Sequence, residues 1–91
     1  MLARLQPSPV IALNRAVAIA MAEGCEKGLE LIADIQLPGY YLLPAARADL
    51  LRRLGRTAEA ATAYREALTL VTNTTERRFL ERRLAQMSGG R

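Results

Sequence analysis

A chain of 91 residues fits one small domain and leaves little room for a buried catalytic cleft. Apolar residues make up 51% of it and aromatic residues only 4%, so a core must be built from Ala, Leu, Val and Ile. The formal charge is +4, and all but one of the 13 cationic residues are arginine. Because acidic residues are interleaved with these arginines and stacking aromatics are scarce, the composition argues against DNA binding by this chain.

Histidine is absent from the sequence, which removes the commonest metal ligand and the commonest general base. Paired carboxylates of convergent geometry and a glycine-rich phosphate loop are not recognisable either, so we predict no enzyme activity, catalytic residue, metal or cofactor. Cys25 is the single cysteine, so no internal disulfide can form and a reducing, cytoplasmic compartment is expected. No apolar stretch reaches the roughly 20 residues of a membrane span, so no membrane contact is expected.

The first two predicted helices follow from capping residues and apolar spacing. Ser8 is a typical N-cap and Pro9 a typical first helical residue, which predicts a helix over 9–23 that Gly24 ends. Its expected apolar face consists of Val10, Leu13, Val17, Ala20 and Met21. A second helix is predicted over 26–35, and Gly28 is expected to weaken its first turn.

The third helix is predicted over 44–54, since Pro44 lacks an amide hydrogen and restricts the residue before it. Gly55 ends this helix, because glycine takes a positive φ without strain. Thr57 is then expected to cap a fourth helix over 57–71. The apolar stripe of that helix consists of Ala60, Ala61, Tyr64, Ala67, Leu68 and Val71.

A fifth helix is predicted over 74–87. Asn73 precedes it as N-cap, and Glu76 stands three residues later, as in a capping box. Leu80, Leu84 and Met87 fall on its narrow apolar face. No strand pattern competes anywhere, so the sequence predicts an all-α fold.

Helix pairs joined by glycine turns are typical of helical repeats. Leu51, Leu54 and Gly55 fit the W-x2-L-G start of the tetratricopeptide (TPR) pattern, and Ala67 falls at its small-residue position. Gly55 and Ala67 are therefore expected to let the paired helices approach closely. Gly24 lines up with Gly55 when the pattern is moved back, so the first pair is interpreted as a degenerate copy.

The predicted architecture is TPR-like, with two degenerate helical hairpins and a C-terminal capping helix in a right-handed α-α superhelix over residues 1–91. About three such units are needed to bury a continuous core. We therefore expect a fragment of a longer protein that rests on more of its own chain or on a partner. Exposed ends could also support a homodimer.

Longer phrases of the sequence resemble a narrower family. They are PSPVIALNRAVAIA, GLELI, YYLLPAARADLLRRLGRTAEAATAYREALTL and ERRFLERRL. These stretches resemble the C-terminal TPR-like extension of one group of extracytoplasmic-function (ECF) sigma factors of bacterial RNA polymerase. The resemblance covers about Leu5 to Ala85.

This resemblance implies an accessory protein-interaction domain that acts in transcription initiation. The implied partners are the N-terminal sigma domains of a parent chain, core RNA polymerase, or both, and the promoter-reading helices would lie outside these residues. The alternative is a free-standing TPR-type adaptor that binds a peptide or a helix in its groove. Direct nucleic-acid binding through the last helix is a third hypothesis.

Asn14 interrupts the apolar face of the first helix. A buried amide without a hydrogen bond would cost about 1–3 kcal/mol, so Asn14 is expected to have a partner. It either bonds a neighbouring helix or loop carbonyl, or lies in a concave groove and holds the backbone of a partner.

Arg47 lies among the leucines of the third helix. The second helix carries the like-charged Glu30 and Asp34 four residues apart, which an arginine between them would stabilise. We predict that Arg47 pairs with Glu30 or Asp34 as a structural bridge. The alternative is that Arg47 binds a partner in the groove.

The remaining partner-binding candidates are also arginines. Arg52 stands three residues after Asp49 and has the spacing of a surface ion pair. The last helix carries four more candidates, which are Arg77, Arg78, Arg82 and Arg83. These four either form a solvated face or contact an acidic protein surface or nucleic acid.

Overall fold

A computed structural model describes residues 8–88, which form five α-helices. The helices are α1 (Pro9–Glu23), α2 (Cys25–Ala33), α3 (Leu42–Arg53), α4 (Thr57–Leu70) and α5 (Thr74–Ser88). Residues 8–88 contain no strand, so the all-α prediction is confirmed. Each helix packs mainly against its neighbours in the chain, which gives an elongated molecule of 55 × 30 × 17 Å.

The backbone amide of Ile11 donates to Ser8 Oγ over 3.1 Å, which confirms Ser8 as the N-cap of α1.

The two hairpin turns form where the glycines predict them. Gly24 and Gly55 adopt φ angles of +115° and +80°. Side chains rarely take such angles, so glycine at these positions lets each helix pair fold back within a few residues.

Several predicted boundaries shift by one or two residues. α2 covers 25–33 rather than 26–35, and α3 begins at Leu42 rather than Pro44. Pro44 lies inside the first turn of α3. Backbone amides in the first turn have no hydrogen-bond acceptor within the helix, so the missing amide hydrogen of proline costs no helical hydrogen bond there. Thr57 was expected to be a cap, but it is the first residue of α4, and its Oγ1 donates to the Gly55 carbonyl at 3.4 Å.

The start of α5 is anchored twice. The backbone amide of Glu76 donates to Asn73 Oδ1 over 3.0 Å, so Asn73 caps the helix as predicted. The carboxylate of Glu76 lies beside the hydroxyl of Tyr41, just before α3. Burial and this hydrogen-bonding carboxylate raise the pKa of Tyr41 to about 12. Glu76 therefore lies where α5 comes near the residue that precedes α3.

Two clusters of buried apolar residues form the core. The first lies between α3, α4 and α5 and consists of Ala48, Leu51, Ala60, Ala63, Tyr64, Ala67, Val71 and Leu80. The second lies between α1, α2 and α3 and consists of Leu13, Ala16, Ala20, Ile32, Leu43 and Leu50. Alanine provides much of both clusters, as the composition predicts, and Ala67 is completely buried.

Gly28 allows a close approach between α1 and α2. It is buried in α2, and a Cβ placed on it would collide with the Cβ of Ala20 and lie 3.1 Å from both the Ala16 carbonyl oxygen and Leu50 Cδ1. The sequence suggested only a weakened helical turn at this position. The contact also determines which face of α1 is buried, because Ala16 and Ala20 must meet Gly28.

Candidate interaction surfaces

A shallow cleft lies between α1 and the beginning of α3, and we call it the α1/α3 cleft. Its volume is about 260 Å³, and it is lined by Leu13, Asn14, Val17, Tyr40, Leu42, Ala45 and Ala46. The side chain of Leu42 at its edge is exposed to 40%. The cleft is largely apolar, which suits the apolar side of a protein partner.

The apolar face predicted for α1 is partly wrong. Val10 and Met21 are exposed to 38% and 51%, whereas Ala16, which the prediction omitted, is buried. Asn14 is also exposed, so it needs no buried partner. Its side chain makes no hydrogen bond to any other residue within 8–88, and it lies at the edge of the α1/α3 cleft, where it is accessible to a partner.

The partner of Arg47 is not the predicted one. Arg47 Nη1 lies 3.3 Å from Glu66 Oε1 on α4, and it pairs with neither Glu30 nor Asp34. The two side chains are 34% and 53% exposed, so this is a surface ion pair of little energetic weight. Glu30 is exposed on α2, and Asp34 is exposed directly after that helix. Arg47 therefore connects α3 to α4 rather than to α2.

Arg52 belongs to a fork of ion pairs around Asp49. Arg52 Nη2 lies 2.7 Å from Asp49 Oδ1, and Arg53 Nε lies 2.9 Å from Asp49 Oδ2. Partial burial acts to raise the pKa of Asp49, but the hydrogen bonds from Arg53 and Arg52 outweigh it, so that pKa is lowered. Arg52 is thus held within its own helix.

The four arginines of α5 have different environments. Arg77 Nη2 donates to the Val71 carbonyl over 3.0 Å. Its guanidinium therefore provides a hydrogen-bond donor for the carbonyl at the C-terminal end of α4 rather than for a partner. The guanidinium of Arg83 lies 5.2 Å from the centre of the Phe79 ring. Arg78 and Arg82 are exposed and form no ion pair with any other residue of the described range.

Phe79 is a feature that the sequence reasoning missed. Its ring is 44% exposed next to Leu80, which is 1% exposed. The sequence did contain a sign that Phe79 is exposed. Leu80, Leu84 and Met87 occupy the narrow apolar face of α5, and Phe79 falls outside their spacing. Together Phe79, Arg78, Arg82 and Arg83 form a basic surface with an aromatic centre, which we call the α5 basic face.

A second apolar depression lies between α1 and α2, and we call it the α1/α2 groove. Its volume is about 180 Å³, and it is lined by Ala12, Arg15, Ala16, Ile19, Leu31 and Ile35. Ile11, one residue before Ala12, is 52% exposed. No pattern in the sequence distinguished this groove, because its residues belong to two helices whose relative position was unknown.

The described part of the chain offers nothing that resembles a metal site. No group of three or more Cys, Asp or Glu side chains converges within residues 8–88. In the same range, no helix is both long enough and apolar enough to cross a membrane. The candidate sites are therefore the three surfaces defined above.

Comparison with known proteins gives one match. An uncharacterized protein of Rhizobium meliloti (strain 1021) is 42% identical to the chain over 89 residues, which cover 96% of this chain and 21% of that relative. The chain thus spans about a fifth of the length of the curated relative it matches. No protein-family model matches the sequence, and no solved structure matches it.

Proposed function

We propose that this chain is an accessory protein-interaction domain of a bacterial ECF-type RNA polymerase sigma factor. In this role it acts in transcription initiation by docking on the sigma domains of a longer polypeptide or on core RNA polymerase. The sequence phrases quoted above support the family, and the Rhizobium relative, nearly five times as long as the matched segment, supports a larger parent.

We also infer a TPR-like arrangement for the helices. Two hairpins, α1–α2 and α3–α4, turn at glycines of positive φ, and α5 follows as a terminal helix. The small residues at the helix contacts, including Gly28 and Ala67, support a repeat-type packing in which backbones lie close together.

The observation that carries the docking role is the exposed apolar surface of the first hairpin and the start of α3. Val10, Ile11, Met21 and Leu42 are each exposed to between 38% and 52%. Exposed large apolar side chains mark protein-binding surfaces where they share a face, and Val10 and Met21 fall on the same face of α1. Leu42 also lines the α1/α3 cleft, which offers a concave site for the contact.

Affinity purification of the full-length Rhizobium relative, followed by mass spectrometry, tests the proposal. We expect the β and β′ subunits of core RNA polymerase to copurify with the tagged protein. RNA sequencing after its induction should show a small set of transcripts that share an upstream sequence. Serine at the positions aligned with Val10 and Met21 should reduce this induction, whereas serine at the position of the exposed Ala18 should not.

Absence of polymerase subunits from the purified material, together with an unchanged transcriptome, would contradict the sigma-factor role. In that case the TPR-type adaptor is the better hypothesis, and the α1/α3 cleft is where its peptide or helix would bind.

A further inference from the structure

The α1/α2 groove differs from the α1/α3 cleft in the elements that line it. All of its lining residues come from α1, from α2 or from the first turn after α2. α3 packs on a different part of the first hairpin, where Leu43 and Leu50 meet Leu13 and Ile32. The groove therefore belongs to the end of the stack of helices rather than to a junction within it.

The lining of the α1/α2 groove resembles the helix contacts inside this molecule. Ala12 and Ala16 form its floor, and Ile19, Leu31 and Ile35 form its sides. Alanines flanked by branched aliphatic side chains also mediate the buried contacts between α3 and α4. Positions 12 to 19 extend about 10 Å along α1 at about 1.5 Å per residue, which corresponds to two turns of a facing helix.

The two hairpins differ in how many of their sides are covered by neighbouring helices. The α3–α4 hairpin has α2 on one side and α5 on the other, so both of its sides are covered. Within residues 8–88, the α1–α2 hairpin is covered by α3 alone. In repeat proteins each unit buries its apolar face only by stacking on a neighbour. The uncovered side of the first hairpin is therefore the position of a further helix.

We propose that the α1/α2 groove seats an amphipathic helix supplied by the longer polypeptide, with a carboxylate on that helix facing Arg15. The occupant is a helix because the groove walls are helices whose backbone groups are already paired, so an extended segment would find no backbone partners there. Arg15 is exposed at the edge of the groove, which favours an acidic residue opposite it.

A second copy of the chain fits the groove less well. One outward-facing helix surface that a copy could offer is the α5 basic face, and its arginines would meet Arg15 with like charge. This inference deepens the proposed function and rests on one part of it, namely that the chain belongs to a longer protein. It does not depend on binding to polymerase.

Site-resolved thiol labelling tests the occupancy of the groove. Ala12→Cys places a thiol in the groove, and Ala18→Cys is the matched control on the exposed side of α1. Each variant is made in this chain, with Cys25→Ser, and at the aligned position of the full-length Rhizobium relative. Maleimide labelling rates are read from individual peptides by mass spectrometry, after circular dichroism has shown that each variant is helical.

The proposal predicts that the rate ratio of the position-12 thiol to the position-18 thiol falls at least tenfold from this chain to the full-length relative. An unchanged ratio would overturn it. Protection that is already present in this chain and grows with protein concentration would assign the groove to a second copy. Protection in this chain at every concentration would assign it to residues 1–7. Polymerase copurification is scored separately, so its failure would leave the result for the groove intact.

Discussion

Replacing Gly28 with alanine should destabilise the protein, although alanine is the better helix former. The substitution adds one methyl group to α2 at a point where α1 lies close to it. That methyl group would collide with the Cβ of Ala20 and lie 3.1 Å from the Ala16 carbonyl oxygen and from Leu50 Cδ1. Ala20 Cβ is attached directly to the backbone, so it cannot rotate away, and α1 and α2 must separate.

The magnitude follows from two opposing contributions. Helix propensity alone favours Gly28→Ala by about 1 kcal/mol. Overpacking of a close-packed site costs about 1–3 kcal/mol, and three simultaneous close contacts place this site at the upper end. The expected net loss in free energy of unfolding is about 2 kcal/mol. For a domain of this size such a loss lowers Tm by about 8–16 °C.

Urea and thermal unfolding followed by circular dichroism measure the effect in a double-mutant cycle. Ala20→Gly removes the colliding methyl group, so the double variant with Gly28→Ala should recover to within about 1 kcal/mol of the wild-type protein. Ala22→Gly is the matched control, because it introduces the same flexibility at an exposed position of α1. Its effect should simply add to that of Gly28→Ala.

A rise in Tm for Gly28→Ala would refute this reasoning, since it would mean that helix propensity outweighs the contact. The same conclusion would follow if Ala20→Gly and Gly28→Ala were additive, because a shared collision must produce a coupling between the two sites.

Three further predictions concern polar contacts. Ser8→Ala removes the N-cap of α1 and should cost about 1 kcal/mol in urea unfolding, whereas Ser8→Asp should retain most of the stability. Glu66→Gln removes the exposed ion pair with Arg47 and should change the free energy of unfolding by less than about 0.5 kcal/mol, so a larger loss would show that the pair is structurally important. Tyr41, whose pKa in the folded state is about 12 against 10.0 for an ordinary tyrosine, should contribute stability that is complete below pH 10 and is lost as the pH rises towards 12. Tyr41→Phe should therefore flatten the fall in Tm over that pH range, and an unchanged slope would mean that burial and the Glu76 carboxylate do not raise the pKa of Tyr41.

The sequence predicted the helices well because their ends depend on local chemistry. Ser8 and Asn73 act on amides three residues away, and Gly24 and Gly55 act through their own φ angles. Such signals do not need a tertiary structure to operate. Pro44 misled the prediction by two residues, since proline is compatible with any position in the first turn of a helix.

The choice of the buried face of α1 could not be predicted in the same way. Apolar residues surround most of this helix, so Val10 and Met21 satisfied the periodicity as well as Ala16 did. The contact that decides between them involves Gly28, and no pattern in the sequence indicates how closely α1 and α2 approach each other. The exposure of Asn14 has the same cause, because Asn14 faces solvent when Ala16 faces inward.

The candidate site was harder to predict because the charge of a residue does not identify its partner. Arg47 was expected to meet acidic residues of α2, but α4 also offers carboxylates, and Arg47 lies on the side of α3 that faces Glu66. Arg77 was grouped with the partner-binding arginines, yet it bonds the Val71 carbonyl. The packing of α5 on α4 is what distinguishes Arg77 from the exposed arginines of the same helix, and the sequence does not show that packing.

The small side chains at the helix contacts also explain why large apolar residues are on the surface. When alanine and glycine fill the contacts between neighbouring helices, the backbones approach too closely to leave room there for larger groups. Ile11, Met21 and Phe79 are therefore directed outward, and each is at least 44% exposed. Exchanging the buried alanines for leucines would separate the helices, and it would not cover these side chains. Covering them would require another polypeptide surface, which agrees with the docking role that we propose.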